Sequence, residues 1–301
     1  MGARLRRAAR LRGALIVLSA FATRAALVDH VNPLIGTGGG NGLGSFAAAN
    51  LNPGAQAPFA LLRLGPDTTF VSANGSVLWV ANDHIAGYSF NDTHVLAFSH
   101  THVQGGGCND LGNFGAALSA SADISALVSG AGAAGDAPYK TRFAHGAGAE
   151  RARPGYYALA LPDVGGALAE LVAAGARSGT HRYACPTQEC TLLLDVCHGA
   201  HAGGCPAANA SFAPGADGAL TIAASVIDNG YFAQQGGGVW VHASARDGRE
   251  RHVGQRRLLC DGARPRRLHA ACRPEPRFAR GRGGEPRRRA ADRRRRRVAR
   301  L

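Results

Sequence analysis

Residues 87–115 read GYSFNDTHVLAFSHTHVQGGGCNDLGNFG, and this stretch says more about the fold than any other part of the chain. Its apolar run His94–Phe98 is short, includes a β-branched and an aromatic residue, and ends at polar residues, which predicts a β-strand. His100 and His102 follow two residues apart, so on a continuing strand both imidazoles would share one face. Gly105–Gly107 then allow a ligand or a neighbouring domain to approach the backbone closely.

The polar residues of this stretch admit three interpretations. A metal site would use His100, His102 and either Cys108 or Asp110, which are common ligand types. A sugar-binding edge would use the same two histidines together with the glycines that follow them. In the third interpretation the two histidines pack at a strand end with their hydrogen bonds satisfied, and the sequence alone leaves all three open.

The chain from Val31 to about Ala245 repeats one pattern, in which short apolar runs are separated by Gly, Pro, Asn and Asp. Such runs, rich in β-branched and aromatic side chains, predict strands, and the regular turn signals between them favour an all-β fold, a large antiparallel β-sandwich. The run Leu168–Ala176 fits a short helix or a strand equally well. The other predicted strands are Phe59–Leu64, Val77–Val80, Tyr156–Leu161, Thr191–Val196, Leu220–Ile227 and Gly238–Ala243.

The net charge of +14 belongs to the C-terminal tail. Of the 34 basic and 20 acidic residues, 21 arginines and 6 acidic residues lie in Arg246–Leu301, so 13 and 14 remain in the other 245 residues. This near-neutral remainder argues against a folded nucleic-acid-binding domain, and we expect no specific nucleic acid as partner. A polybasic tail that binds nucleic acid or an anionic surface stays an alternative function.

The tail itself, residues 246–301, has almost no apolar periodicity, so we expect it to be disordered. It is dominated by Arg, Pro, Gly and Ala. A GC-rich gene that is read out of frame yields the same residues, and we favour this interpretation over a functional tail.

The N-terminus has the features of a secretory signal peptide, which we place at residues 1–26. Five arginines precede the apolar run Ala14–Ala22, and small residues suitable for cleavage follow. The run is too short to cross a bilayer, which takes about 20 apolar residues. An organellar transit peptide is the alternative. Sequons for N-glycosylation at Asn74, Asn91 and Asn209 agree with a secreted glycoprotein.

The seven cysteines become disulfide candidates in a secreted chain. Four of them, Cys185, Cys190, Cys197 and Cys205, lie close together in the sequence. They lack the C-x-x-C spacing that is common in structural zinc sites, so we expect one or two local disulfides, in any of three pairings.

Motifs for catalysis are lacking in this sequence. The loop Gly36–Gly44 has G-x-G spacing without the strand and helix that a nucleotide-binding turn requires. Neither G-x-S-x-G nor H-E-x-x-H occurs, and the carboxylates are scattered. Asp195 follows three leucines, and a buried carboxylate there would need a partner such as an arginine or a backbone N–H. We therefore predict no catalytic residue in this chain.

Five ordered stretches resemble the N-terminal domain of the family 92 glycoside hydrolases, which are calcium-dependent α-mannosidases. The ordered series, and within it the FSHTH block, makes the resemblance specific over most of Val31–Asp195. The stretches are VNPLIGTGG at 31–39; PGA, PF and LGPDT between 53 and 68; GY at 87–88 with FSHTH at 98–102 and GGGC at 105–108; ARPGYY at 152–157; and RSGTHRY at 177–183.

The resemblance implies a β-sandwich at residues 27–245, which the family follows with an (α/α)₆ barrel. In the family the barrel supplies the general acid, the general base and most calcium ligands, and the reaction is an inverting hydrolysis of α-linked mannose, mainly from N-glycans. The sandwich contributes loops to the sugar pocket, and Tyr88 and Trp79 are candidates to stack on a sugar. The implied substrate-binding residues are Gly38, Gly39, Tyr88, His100, His102, Gly106 and Cys108.

Two departures from the family pattern qualify the resemblance. Gln104 stands where the family has a Ser-type residue, and the four clustered cysteines are additional. No amphipathic helical pattern follows Ala245, so we expect the barrel to be missing from this chain. The expected partners are that catalytic domain and mannose-containing glycans. The chain alone should then be unable to hydrolyse mannosides, and a free-standing carbohydrate-binding module is the alternative.

Overall fold

A computed structural model of the chain describes part of the sequence. The predicted signal peptide and all but the first residue of the predicted tail lie outside the described residues, as do Gly39, Trp79, Cys108 and His201. The described residues are 30–38, 49–78, 81–106, 110–121, 123, 127, 136–146, 148–186, 190–199, 205–215, 218–228 and 238–246.

Fourteen strands lie within these ranges, in three sheets. The strands of the first sheet are β1 (Ala55–Gln56), β2 (Arg63–Val71), β3 (Val77–Leu78), β4 (His94–Ser99), β5 (Gly115–Ser119), β6 (Thr141–Arg142) and, later in the chain, β11 (Thr191–Asp195). Those of the second are β7 (Glu150–Arg153), β8 (Tyr156–Leu161), β9 (Ala167–Ala173) and β10 (Gly179–Ala184). Those of the third are β12 (Ala207–Pro214), β13 (Leu220–Ile227) and β14 (Gly238–Ala245).

All pairings between these strands are antiparallel. The first sheet has the order β1-β2-β4-β5-β11, with β3 beside β2 and β6 beside β4. The second sheet has the order β10-β9-β8-β7, and the third has the order β12-β13-β14. This arrangement confirms the predicted all-β fold of antiparallel sheets.

The main core lies between the first and second sheets. Strand β8 directs Tyr157, Leu159 and Leu161 inward, and each is fully buried, because alternate residues of a strand point to the same face. Leu64 and Phe98 meet them from the first sheet. Burial of such side chains contributes about 1.5–3 kcal/mol each, so this interface is the main source of stability for the sandwich.

Two smaller clusters complete the packing. One covers the opposite face of the first sheet and joins Leu96 and Leu193 to Tyr139. In the other, Phe114 and Val196 pack against the inner face of the third sheet. The third sheet is therefore attached beside the end of β11, next to the segment that follows the FSHTH block.

Most of the predicted strands are confirmed, and one is displaced. Leu168–Ala176, for which helix and strand were equally plausible, is strand β9 over most of its length. The predicted strand Phe59–Leu64 is wrong at its start, because β2 begins only at Arg63. Phe59 has a φ of 55° and its side chain is 101% exposed, so the chain turns there instead of extending.

The clustered cysteines form two local disulfides, Cys185–Cys190 and Cys197–Cys205. They close the connections on either side of β11, which selects one of the three possible pairings. Within the described ranges, no helix has the length and apolar content that a membrane span requires.

Candidate functional site

The two histidines of the FSHTH block point into different surroundings. Strand β4 ends at Ser99, so the expectation that both imidazoles share one strand face is wrong. His100 Nδ1 donates a hydrogen bond to the carbonyl oxygen of Phe114 at 2.5 Å, and its ring stacks on His181 with centroids 4.7 Å apart. His102 is 3% exposed, and its partners are different: Ser99, the Arg63 carbonyl oxygen and Asp67.

Burial governs the charge of the His100 and His181 pair. It lowers the pKa of His100 to about 4, against the opposing effect of the Phe114 carbonyl. Burial, together with the charge of His100, also holds the pKa of His181 well below its usual value. Both rings are therefore neutral near pH 7, which is the state in which they can stack without repulsion.

Asp67 is the centre of a buried network that holds His102. Its Oδ1 lies 2.9 Å from Nε2 of His102, and its Oδ2 lies 2.7 Å from Nε2 of His198. His102 Nδ1 donates to the carbonyl oxygen of Arg63 at 2.7 Å. The network thus ties the loop after β4 to strand β2 and to the turn after β11.

The charges in this network support one another. Burial alone would raise the pKa of Asp67, but the charge and hydrogen bond of His102, with those of His198, hold it well below its usual range. Burial lowers the pKa of His198, but its hydrogen bond to Asp67 and the charges of Asp67 and Asp195 outweigh burial and raise that pKa. Each oxygen of the Asp67 carboxylate thus faces an imidazole nitrogen, and these contacts offset part of the cost of burying the charge.

The network does not form a catalytic triad, although Ser99, His102 and Asp67 belong to it. Ser99 Oγ and Asp67 Oδ1 both lie 2.9 Å from the same ring nitrogen, Nε2 of His102. A triad needs the carboxylate on one ring nitrogen and the hydroxyl on the other. Ser99 is also fully buried, so its hydroxyl cannot reach a substrate. Ser99, His102 and Asp67 instead position the loop that follows β4.

The backbone conformation at Gly87 explains why a glycine precedes Tyr88 in the motif. Its φ is +82°, and a Cβ atom at this position would overlap Oδ1 of Asp67. Only glycine combines this backbone conformation with such a close approach. The backbone N–H of Thr68 also donates to the Gly87 carbonyl oxygen at 2.8 Å, which fixes the turn against β2.

Tyr88 lies in the core and does not face solvent. It is 1% exposed, and its hydroxyl donates to Oε1 of Glu150 at 2.9 Å. Tyr157 donates to the same oxygen at 2.7 Å, and His145 Nδ1 lies 2.6 Å from Oε2. Burial and the Glu150 carboxylate raise the pKa of Tyr88. The ring of Tyr88 is therefore not available to stack on a sugar in this structure, because the core already covers it.

Phe90 is the exposed aromatic residue of this region. Its ring is 39% exposed and stacks on His145 with centroids 4.1 Å apart. A Cβ atom at Gly38 would lie 2.7 Å from Cβ of Phe90, and the Phe90 N–H donates to the Thr37 carbonyl oxygen at 2.9 Å. Sequence reasoning missed Phe90, although it stands two residues after Tyr88 in the motif.

The two glycine-rich motifs are joined into one surface, here called the glycine edge, which comprises residues 36–38, 50–52 and 104–106. The Leu51 N–H donates to the Gly36 carbonyl oxygen at 3.2 Å, and the Gly105 N–H donates to the Asn50 carbonyl oxygen at 2.9 Å. Residues 50–52 therefore connect the loop that carries Gly38 to the loop that carries Gly106.

Backbone strain is concentrated near this edge. Asn50, Leu111 and Phe114 have φ angles of 52°, 65° and 59°, a region that residues other than glycine rarely occupy. Such conformations cost about 1–3 kcal/mol each and are typical of binding sites, where the surrounding structure enforces them. The hydrogen bond from His100 to the Phe114 carbonyl oxygen supplies such enforcement at one of these residues.

Calcium has no fitting donor set among the residues described. These residues contain no group of three or more His, Cys, Asp or Glu that could hold a metal ion. Calcium takes six to eight oxygen ligands, and the buried carboxylates are already bonded to protein groups. Those carboxylates are Asp67, with His102 and His198; Asp92, with Thr68 and His84; Glu150, with its two tyrosines and His145; Asp195, with Tyr139 and the Cys197 N–H; and Asp228, with Asn113. Asp110, the sixth, also has a partner.

Comparison with known proteins identifies the family. A profile of the glycosyl hydrolase family 92 N-terminal domain matches residues 30–247, well over half of the chain. The chain belongs to glycoside hydrolase family 92. The match confirms the resemblance of its N-terminal motifs and assigns the described sandwich to the N-terminal domain of that family.

Solved family 92 structures agree with this assignment. The family GH92 α-mannosidase BT3965 from Bacteroides thetaiotaomicron, in complex with mannoimidazole, is 30% identical with a TM-score of 0.52, over 68% of this chain and 23% of that chain. The same α-mannosidase without that compound gives 30% identity and a TM-score of 0.51, over 68% and 24%. No curated protein matches the chain. The chain therefore spans about a quarter of the length of these family 92 relatives.

Proposed function

We propose that this chain forms the sandwich side of a sugar pocket in an α-mannosidase that acts on N-glycan mannose. The observation that carries the proposal is its 30% identity to an α-mannosidase whose structure holds mannoimidazole. The glycine edge is the surface that fits this role, because it carries partly exposed glycines and a strained residue, Asn50, and adjoins the exposed ring of Phe90 through the Thr37 carbonyl. Sugar sites commonly pair such an apolar face with a few polar groups.

The proposed substrate-binding residues divide into two kinds. Gly38, Gly106 and the half-buried His100 belong to the glycine edge or adjoin it, and we include Gly39 and Cys108 with them from the family motifs. Tyr88 and His102 are buried, and we assign them positioning roles. Tyr88 holds Glu150, and His102 holds Asp67. Phe90 takes the stacking role expected of Tyr88.

The proposed chemistry is an inverting hydrolysis to which this chain contributes binding and no catalytic group. Inversion needs two carboxyl groups about 6.5–9.5 Å apart with a water between them. Five of the six buried carboxylates of the described residues, namely Asp67, Asp92, Glu150, Asp195 and Asp228, accept hydrogen bonds from protein groups and have structural roles. We place the acid, the base and the calcium that the family uses in an accompanying catalytic domain, so the ion has no part in the role proposed for this chain.

The proposed location is the secretory pathway. Residues 1–26 would direct export, and the two disulfides suit an oxidising compartment. The sequon residues Asn74, Asn91 and Asn209 are all exposed, as glycosylation requires. Fusing residues 1–26 to a reporter and measuring its export tests this part separately from sugar binding.

Sugar binding tests the main proposal. Titration of the full chain with mannoimidazole, followed by NMR, should show weak saturable binding, and Phe90→Ala should weaken it about tenfold, as loss of about 1.4 kcal/mol does. Phe59→Ala is the matched control, since Phe59 is an even more exposed ring in the turn before β2. Equal binding by both variants, or none by the parent chain, would refute the role of the glycine edge.

A further inference from the structure

The outer face of the third sheet holds a row of three side chains in register. Asn209 of β12 pairs with Ser225 of β13, and Ser225 pairs with Trp240 of β14. Residues paired across antiparallel strands project to the same face. The opposite face is the one that packs on Phe114 and Val196, so this row points away from the core.

Trp240 is the conspicuous member of this row. It is 75% exposed, whereas large aromatic side chains are mostly buried in folded proteins. Adjacent strands are about 4.8 Å apart, which puts the Asn209 and Trp240 backbones roughly 10 Å apart. Only the small side chain of Ser225 lies between them in the row. The indole itself leans along β14 over Gly238, since a Cβ atom there would overlap the ring, so the ring borders the row from the side.

Asn209 is also the acceptor residue of a sequon. Its side chain is exposed, and Ser211, the third sequon residue, is exposed on the same face. The other two sequons lie in different settings. Asn74 sits in the turn 72–76, where its Oδ1 accepts from Ser72 and Ser76, and it has no in-register aromatic partner comparable to Trp240.

We propose that Asn209 carries an N-linked glycan whose first N-acetylglucosamine packs across Ser225 against the indole of Trp240. In the attachment, Nδ2 of Asn209 forms a bond to C1 of the sugar, and the bond from C1 to the phosphate oxygen of a lipid-linked oligosaccharide diphosphate breaks. The diphosphate leaves with the electron pair, and Nδ2 loses one proton. The proposal rests on the secretory passage proposed above.

The geometry suits one pyranose ring. A sugar linked to Nδ2 extends from the sheet and spans several ångströms, so it can cross the strand β13 toward the indole that lies over Gly238. Its C–H face can cover one face of Trp240, and an aromatic ring gains from such burial while its N–H stays free for a polar partner. Strand β14 ends the third sheet in the part of the chain that the structure describes, so the glycan would also screen an edge strand from pairing with other chains.

The test uses the full chain behind an added secretion leader in a eukaryotic host, with Trp79→Phe so that Trp240 is the sole tryptophan. Peptide mass spectrometry after enzymatic glycan release should report occupancy at Asn209. Release should raise acrylamide quenching of Trp240 fluorescence about twofold, since one ring face becomes uncovered. Asn209→Gln and Ser211→Ala should each give the higher quenching from the start, whereas Asn74→Gln should not.

Two results would overturn the proposal: an unoccupied Asn209 in the secreted, folded chain, or an occupied Asn209 whose release leaves the quenching unchanged. Ser211→Ala keeps the asparagine and guards against a folding defect in Asn209→Gln. The added leader supplies entry to the pathway, so failure of residues 1–26 to export a reporter refutes the proposed secretion and leaves the Asn209 result to be judged separately.

Discussion

Replacing Asp67 by asparagine removes the charge at the centre of the buried network with little change in size. The carboxylate faces His102 at 2.9 Å and His198 at 2.7 Å. Asparagine would present its NH₂ group to one of these imidazoles, so that two donors meet. Breaking a buried ion pair from one side costs about 3–5 kcal/mol, and we expect a loss of that size in the free energy of unfolding.

The pH dependence gives this prediction its sign. Because the pKa of Asp67 is lowered in the folded state, its contribution is present above the ordinary value of 3.8 and is lost as the pH falls through the lowered pKa. Because the pKa of His198 is raised, its contribution is present below 6.5 and is lost as the pH rises through the raised pKa. The gap between the parent chain and Asp67→Asn should therefore be widest between pH 3.8 and 6.5.

Urea unfolding across this pH range, followed by circular dichroism, measures the gap. Asp163→Asn is the matched control, because Asp163 pairs with the exposed Arg142, where water screens the interaction and little stability is lost. Equal losses in the two variants, or a gap for Asp67→Asn that stays flat from acid to alkaline pH, would refute the network as an ion pair.

Three further predictions concern other parts of the site. Gly87→Ala should destabilise the chain by about 2 kcal/mol more than Gly75→Ala in urea unfolding, since both have positive φ but only Gly87 adjoins the carboxylate. Tyr157→Phe should lower the unfolding free energy by about 1 kcal/mol, because Glu150 loses one of its two hydroxyl donors, and a double-mutant cycle with Glu150→Gln should show coupling. His181→Phe should reduce the loss of stability below pH 6.5, because a ring whose pKa is lowered by burial must gain a proton on acid unfolding; an unchanged acid limb contradicts this.

The strands were accessible from sequence because their signals are local. Tyr156–Leu161 and Leu220–Ile227 alternate within six or eight residues, and the structure has strands with those bounds. Phe59–Leu64 looked similar by composition, but the left-handed backbone at Phe59 depends on how the chain enters β2. A turn inside an apolar run leaves no signal in the residue composition.

The site was only partly accessible. The motifs brought attention to His100 and His102, but their separate surroundings depend on strand β4 ending at Ser99. Tyr88 was expected to face a sugar, and it is buried because Glu150, 62 residues later, accepts its hydroxyl. No local pattern pairs a tyrosine with a distant glutamate, so family motifs located the region while the structure assigned the side chains.

The contact between Asp67 and His198 also has a consequence for biosynthesis. The two residues are 131 positions apart, and a chain that leaves the ribosome from its N-terminus presents Asp67 long before its second histidine. All residues of the glycine edge have been synthesised once residue 106 is added. The contact between Asp67 and His198 that anchors the edge cannot form until β11 and the turn after it have emerged. Contacts over such separations form slowly. The glycine edge is therefore among the last parts of the domain to take shape, and only chains translated beyond His198 can form the contact that anchors it.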